Sequence, residues 1–111
     1  MATVRMMQGD SYALLINLAQ NNIPLTPEMV ADVEICVGES LRKTLSGGEV
    51  FYNDILKQWY FKPTQEDTLS LEPNGYDVIA RIKFSPAPDA DVKGIKVGQI
   101  VIIDTLSEEV I

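Results

Sequence analysis

The sequence predicts an all-β protein, an immunoglobulin-like antiparallel β-sandwich of about seven or eight strands with one short helix near residues 64–70. Three observations lead to this prediction. Apolar and polar residues alternate along many short segments, turn-forming residues separate these segments, and one segment begins like a helix instead. The chain has 111 residues, a length that suits one domain, so we interpret residues 1–111 as a single β-sandwich domain.

The predicted strands are the segments in which alternation runs between two turn signals. They cover residues 3–6, 12–18, 32–37, 41–45, 49–52, 55–62, 76–84 and 93–104, the last with an interruption at Gly98. Residues 21–27 are predicted to form a loop, because Pro24 and Pro27 are incompatible with a central strand. Residues 105–111 are predicted to form a tail.

The predicted helix follows from the residues that flank its start. Pro63 ends the preceding strand, and Thr64 is followed three residues later by Asp67, a spacing close to the capping box of helix N-termini. Glu66 and Asp67 also place negative charge where the helix dipole favours it.

The core is expected to form without a disulfide, by apolar packing alone. Tyr76 opens a strand directly after the turn at residues 72–75, an arrangement similar to the tyrosine corner of immunoglobulin-like sandwiches. In that corner the tyrosine hydroxyl bonds back to the upstream backbone. We place these residues in the structural core: Trp59, Phe61, Tyr76, Val78 and Ile82.

Composition excludes several classes of function. The chain has no histidine, which removes the commonest general base and the commonest transition-metal ligand. The single cysteine, Cys36, allows neither a disulfide nor a cysteine-based zinc site within one chain. The formal net charge of -7 argues against nucleic acid and anionic membranes as partners. We therefore expect a non-enzymatic protein with no catalytic residues, no metal and no cofactor.

Acidic residues offer candidate sites, and a structural interpretation is favoured for each. Residues 89–94 resemble the start of an EF-hand loop, but Lys93 and Ile100 occupy positions where calcium requires oxygen ligands. An exposed loop is therefore expected there. The acidic pairs at 66–67 and 108–109 are adjacent, whereas the two carboxylates of a glycosidase lie on opposite sides of a cleft.

Aromatic and thiol side chains are candidates of a different kind. Cys36 lies within an alternating strand and is interpreted as a small packing residue. Tyr52, Trp59 and Tyr60 could form an aromatic platform for a sugar, although alternation must send some of these rings inward. Core and inter-subunit packing is the favoured interpretation, and a carbohydrate-binding accessory module that uses exposed aromatics is the alternative.

Five segments together carry a family resemblance. They are VRMMQGDSY (residues 4–12), VADVEI (30–35), WYFKPTQEDTL (59–69), GYDVIARIK (75–83) and DTLSEEVI (104–111). This pattern resembles small β-sandwich proteins encoded by phages and prophages of Gram-positive bacteria. It is also similar to the N-terminal domain of the phage baseplate upper protein, which begins with a comparable Gln-Gly-Asp turn between strands.

The resemblance implies a virion structural protein of the tail or baseplate. Such a protein acts by binding copies of itself or other virion proteins, and we expect a homo-oligomer. The resemblance implies synthesis in the bacterial host cytoplasm and later residence in the virion. The baseplate upper protein continues into further domains, so a host-receptor role is not carried over to these 111 residues.

Two further expectations concern surfaces and targeting. Residues 100–103 are consecutively apolar, and the chain ends on an apolar pair after two glutamates. The candidate interface residues are therefore Ile100, Ile102, Val110 and Ile111. Residues 1–10 lack the pattern of a signal peptide, and no apolar run has the roughly 20 residues that a membrane-spanning helix needs.

Overall fold

Most of the regular structure is β-strand, in a computed structural model that describes residues 1–111. The strands are β1 (Thr3–Met7), β2 (Leu14–Ile16), β3 (Ala19–Gln20), β4 (Ile23–Pro24), β5 (Asp32–Val37), β6 (Leu41–Thr44), β7 (Val50–Asn53), β8 (Gln58–Phe61), β9 (Gly75–Lys83) and β10 (Val92–Ile103). A 3-10 turn covers Pro27–Met29, and the α-helix, α1, covers Gln65–Ser70. The prediction of a β-rich protein with one short helix is confirmed. No helix has both the length and the apolar character that crossing a membrane requires.

The strands form two main sheets and one small hairpin. The first sheet has the order β1-β10-β9-β5-β6, the second has the order β2-β8-β7, and β3 pairs with β4 alone. The strand β1 runs parallel to β10, so the prediction of purely antiparallel pairing is wrong for this one pair. Every other neighbouring pair is antiparallel.

The predicted loop over residues 21–27 is instead a tight hairpin followed by a helical turn. Asn21 and Asn22 have φ angles of 52° and 64° and link β3 to β4. Asparagine adopts the left-handed region more readily than most residues, so a two-residue turn can form here. Pro24 lies in a two-stranded edge pair, where its missing N–H costs little.

The strand β8 begins three residues later than predicted. The side chain of Asn53 accepts hydrogen bonds from the backbone N–H groups of Ile55 and Leu56, both at 3.0 Å. This local bonding competes with strand pairing, and Lys57 closes the turn with a φ of 55°. The side chains of Ile55 and Leu56 consequently project into solvent.

One apolar core receives the inward side chains of both main sheets. Trp59 is 2% exposed, and Phe61, Val78 and Ile82 are fully buried. Tyr76 is only half-buried, and it packs against the edge of this core. Its hydroxyl donates a 2.7 Å hydrogen bond to the carbonyl oxygen of Glu72, the backward bond expected of a tyrosine corner.

The helix α1 begins at the predicted capping box. The Thr64 hydroxyl accepts a bond from the Asp67 N–H at 3.1 Å, and the Asp67 carboxylate accepts one from the Thr64 N–H at 2.8 Å. The buried Thr68 then ties the helix to the turn between β1 and β2. The helix, which follows β8, is therefore attached to the turn that follows β1.

The interruption predicted in β10 is a β-bulge. The register of β10 against β9 shifts between Lys96 and Gly98. A Cβ atom at Gly98 would lie 2.6 Å and 2.7 Å from the carbonyl oxygens of Met1 and Ala2. The chain needs glycine here because the first residues of the protein pass directly over the bulge.

Candidate functional site

The predicted aromatic platform is divided between the two faces of the three-stranded sheet. Tyr52 and Trp59 lie on the inner face and contact edge to face, with ring centroids 5.1 Å apart. Tyr60 lies on the outer face and stacks on Phe51, with centroids 5.3 Å apart and planes inclined by 24°. Trp59 is therefore unavailable as an exposed aromatic, whereas Tyr60 lies on the open side of the sheet.

An apolar row crosses the outer face of this sheet. Strand register aligns Leu15 of β2 with Tyr60 of β8, and Tyr60 with Phe51 of β7. The side chains of Leu15 and Phe51 are 52% and 41% exposed. We call Leu15, Tyr60 and Phe51 the apolar row. The alternation in β2 and β7 could have identified Leu15 and Phe51, but the register that aligns them depends on pairing between distant segments.

A cleft opens where β2 ends and β8 begins. The buried ring of Trp59 lines it, and the hairpin of β3 and β4 borders it. Its volume is about 210 Å³, and its lining is mainly apolar: Ile16, Asn17, Leu18, Ala19, Pro24, Leu25, Lys57 and Trp59. We call it the Trp59 cleft. Within it, the Trp59 indole N–H donates a 2.9 Å hydrogen bond to the Leu25 carbonyl oxygen.

The four predicted interface residues fall into two groups. Ile100 and Ile102 are 2% and 3% exposed and belong to the core, so the prediction that they contact a partner is wrong. Consecutive apolar residues in β10 cannot all face one side, and alternation turns these two inward. Val110 and Ile111, by contrast, are 52% and 104% exposed.

A side chain of α1 holds the C-terminal segment, residues 105–111, against the helix. The Ile111 N–H donates to Gln65 Oε1 at 2.7 Å, and Gln65 Nε2 donates to the Ile111 carbonyl oxygen at 3.0 Å. At the other end of the segment, the Thr105 N–H donates to Gln8 Oε1 at 3.4 Å. The backbone is thus anchored at both ends while the side chains of Leu106 and Ile111 remain exposed.

The outer face of the five-stranded sheet carries a charged cluster on β5, β6 and β9. Glu34 lies at its centre, 3.2 Å from Arg81 Nη1 and 3.9 Å from Arg42 Nη1. The Cys36 thiol donates to Glu34 Oε1 at 3.2 Å. Partial burial, and then the bond to Glu34 and its charge, raise the pKa of this thiol. A raised pKa keeps the Cys36 thiol protonated at neutral pH. Because the thiolate is the nucleophilic form, Cys36 is poorly suited to nucleophilic chemistry.

The other acidic residues do not converge. Asp89 and Asp91 are exposed in the loop before β10, and Glu108 and Glu109 are exposed in the C-terminal segment. No group of three or more His, Cys, Asp or Glu side chains is arranged to hold a metal ion.

A largely buried ion pair between Lys43 of β6 and Asp67 of α1 joins the helix to this strand. Lys43 Nζ lies 2.8 Å from Asp67 Oδ2 and 3.5 Å from Glu49 Oε2. Burial opposes the charge of Asp67, but hydrogen bonds from Lys43 and the Thr64 N–H outweigh it and lower the pKa of this carboxyl. Burial likewise opposes the charge of Lys43, yet its bonds to Asp67 and Glu49 raise the pKa of the ammonium group.

We expect this ion pair to stabilise the fold only between about pH 4 and pH 10. The Asp67 contribution is present above its unfolded pKa of about 3.9 and is lost as the pH falls through the lower folded pKa. The Lys43 contribution is present below about 10.4 and is lost as the pH rises through the higher folded pKa. Asp67→Asn should therefore lower the free energy of unfolding by about 1 kcal/mol at pH 7.

Urea titrations of the wild type and Asp67→Asn at several pH values would measure this difference. It should shrink toward zero as the pH falls below about 4, because both proteins then lack the charge. Glu66→Gln is the matched control, since Glu66 is an exposed helix carboxylate that makes no ion pair. A difference that stays constant from pH 2 to pH 7, or an equal effect of Glu66→Gln, would contradict the prediction.

The comparisons with known proteins add no family assignment. The chain matches no protein-family model, no curated protein and no solved structure.

Proposed function

We propose that this chain is a non-enzymatic structural protein that acts by protein–protein assembly. The apolar row is the observation that carries the proposal. Leu15 and Phe51 lie on either side of Tyr60 on the outer face of the three-stranded sheet, and they are 52% and 41% exposed. A contiguous apolar patch on a folded surface is typical of a site that contacts another protein.

The edges of the same sheet support assembly as well. The strands β2 and β7 each pair with β8 on one side and have no strand on the other. An unpaired edge presents free backbone donors and acceptors to another chain. Here the edge and the apolar row adjoin, because Leu15 and Phe51 belong to the edge strands themselves.

The resemblance of five sequence segments to phage and prophage proteins supports a more specific assignment. We propose a component of the tail or baseplate that is made in the bacterial host cytoplasm and resides in the virion. Its partners are then other virion proteins or copies of itself. The charge of -7 keeps such a subunit dispersed before its apolar surfaces meet a partner.

We also propose that the two sheets form an immunoglobulin-like sandwich. Strand order supports this, since β2-β8-β7 corresponds to strands B, E and D, and β10-β9-β5-β6 corresponds to G, F, C and C′. The hydrogen bond from Tyr76 to Glu72 supports it further, because it has the form of a tyrosine corner at the start of strand F.

A carbohydrate-binding accessory module is the second candidate. The stacked pair of Phe51 and Tyr60 favours it, because exposed aromatic rings can pack against a sugar. The adjoining Leu15 favours assembly instead, since an aliphatic side chain offers a sugar no hydrogen bond. The two candidates differ in which side chain of the row is essential.

A single charged substitution at one end of the apolar row tests whether the row mediates assembly. We expect Leu15→Glu to weaken self-association at least about tenfold, because a carboxylate must lose its water to enter an apolar contact. Sedimentation velocity over a concentration series measures this change. Ile55→Glu is the matched control, because Ile55 is 92% exposed but lies in the turn before β8.

Equal association of the wild type and Leu15→Glu would contradict assembly through the apolar row. Binding to a glycan array that is abolished by Tyr60→Ala and unaffected by Leu15→Glu would favour the carbohydrate candidate instead.

A further inference from the structure

We propose that Asn74 is a site of self-modification, at which the backbone nitrogen of Gly75 and water convert the side-chain amide to a carboxylate. The inference goes beyond the proposed function, because it concerns a reaction of the chain itself and needs no partner. The turn that precedes β9 provides the sequence, the exposure and the hydrogen bonding that such a reaction needs.

Asn74 is the single asparagine of the chain that a glycine follows. The other four asparagines precede residues that carry a side chain: Asn17, Asn21, Asn22 and Asn53. In the reaction, the backbone nitrogen of the following residue must reach the Cγ atom of the asparagine. A Cβ atom on that residue hinders the approach and restricts the backbone, whereas glycine does neither.

The side chain of Asn74 already lies beside the nitrogen that must attack it. The Gly75 N–H donates a 2.8 Å hydrogen bond to Asn74 Oδ1. Both residues are exposed, so water and hydroxide reach the peptide nitrogen and the carboxamide. The reacting groups are therefore adjacent and accessible in the folded protein.

The Gly75 N–H takes no part in the pairing of β9 with β10. The Ile102 N–H donates to the Asn74 carbonyl oxygen at 2.8 Å, so the backbone groups of Asn74 point toward β10. Successive residues of a strand direct their backbone groups to opposite sides, which turns the Gly75 N–H away from β10. On that other side, β5 ends at Val37, opposite Val78. Loss of the Gly75 proton therefore breaks no bond between strands.

The reaction consumes one water molecule and releases one ammonia molecule. Hydroxide removes the Gly75 N–H proton, the nitrogen forms a bond to Asn74 Cγ, and the Cγ–Nδ2 bond breaks. The Nδ2 group takes up protons from water and leaves as ammonia, and a cyclic succinimide remains. Water then opens the ring. Cleavage of the new bond gives aspartate at position 74, whereas cleavage of the original peptide bond gives isoaspartate, whose main chain runs through Cγ.

Isoaspartate would lengthen the main chain inside the tyrosine corner. The Tyr76 hydroxyl donates to the Glu72 carbonyl oxygen at 2.7 Å, and this bond closes a loop that contains Asn74 and Gly75. One more main-chain atom in this loop strains the bond. Either product also adds one negative charge to a chain whose formal net charge is -7. The reaction thus changes the charge in both products and the turn in one of them.

Incubation of the folded protein in oxygen-18 water at pH 7 and pH 9 tests the inference. Mass spectrometry of proteolytic peptides measures the exchange of amide for carboxylate and the uptake of label. We expect labelled product in the peptide that contains Asn74, with more at pH 9, because hydroxide generates the attacking nitrogen. Peptides that contain the other four asparagines should stay unlabelled over the same period.

Gly75→Ala is the decisive variant. The φ angle of Gly75 is not positive, and a Cβ atom there would lie 3.4 Å from the end of the Gln99 side chain, which can move. Alanine therefore preserves the fold, and we expect it to slow the reaction at least about tenfold. Gly94→Ala is the matched control, because a Cβ atom there would contact only Ile79, at 4.0 Å, and should leave the rate unchanged.

Three results would overturn the inference. They are an absence of labelled product at position 74 in the folded wild type, equal rates in Gly75→Ala and the wild type, and a rate that rises more than about tenfold when urea unfolds the wild type. The third result would mean that the fold protects Asn74 from attack. Circular dichroism of each variant confirms that the rates compare folded proteins.

Discussion

Replacing Trp59 with alanine should lower the free energy of unfolding by about 3–5 kcal/mol. Trp59 is 2% exposed and contacts Tyr52 edge to face within the core. Its indole N–H also donates to the carbonyl oxygen of Leu25, which lies 34 positions earlier in the chain. The substitution removes a large ring from a packed interior and leaves that carbonyl without its partner.

Urea titration followed by circular dichroism measures the effect without relying on tryptophan fluorescence. Trp59→Phe keeps most of the apolar volume but loses the N–H donor, so it should cost about 1–3 kcal/mol. Tyr60→Ala is a matched control on the same strand, because Tyr60 faces outward. A loss below about 1 kcal/mol for Trp59→Ala would show that this ring does not support the core.

Alternation predicted the elements whose faces differ most in polarity. The strand β5 follows the prediction residue for residue, with Val33, Ile35 and Val37 fully buried. The helix was predictable because its capping box lies within four consecutive residues. Such signals are local, so a single segment contains all the information needed to recognise them.

Pairing between distant segments was much harder to predict. The hairpin of β3 and β4 depends on two asparagines with positive φ, in a segment whose prolines indicated a loop. The parallel pairing of β1 with β10 joins the two ends of the chain, and no local pattern encodes it. Ile100 and Ile102 are buried because they lie on the side of β10 that faces the core.

The candidate surfaces also differ in whether local sequence or distant pairing defines them. Val110 and Ile111 were predicted as interface residues because they form an apolar pair after two glutamates, and both are exposed. The apolar row needs the register of three strands, and the Trp59 cleft needs the packing of a hairpin against β8. Sequence patterns therefore indicated which side chains are apolar, whereas tertiary pairing determined which of them share a surface.

The buried hydroxyl of Thr68 joins α1 to the turn after β1. It donates to the Asp10 carbonyl oxygen at 2.9 Å and accepts from the Gly9 N–H at 2.9 Å. Thr68 is 1% exposed, so water cannot readily replace its hydroxyl group. A buried backbone group that loses its partner costs about 1–3 kcal/mol.

We expect Thr68→Val to lower the free energy of unfolding by about 2–4 kcal/mol, because it preserves shape but leaves both Gly9 and Asp10 unpaired. Thr68→Ser keeps the hydroxyl and loses one methyl group, so it should cost only about 1 kcal/mol. Urea titration of both variants measures the difference. If valine were tolerated as well as serine, packing rather than hydrogen bonding would attach the helix. A larger loss for valine would mean that a polar contact holds α1, and with it Gln65 and the C-terminal segment, in place.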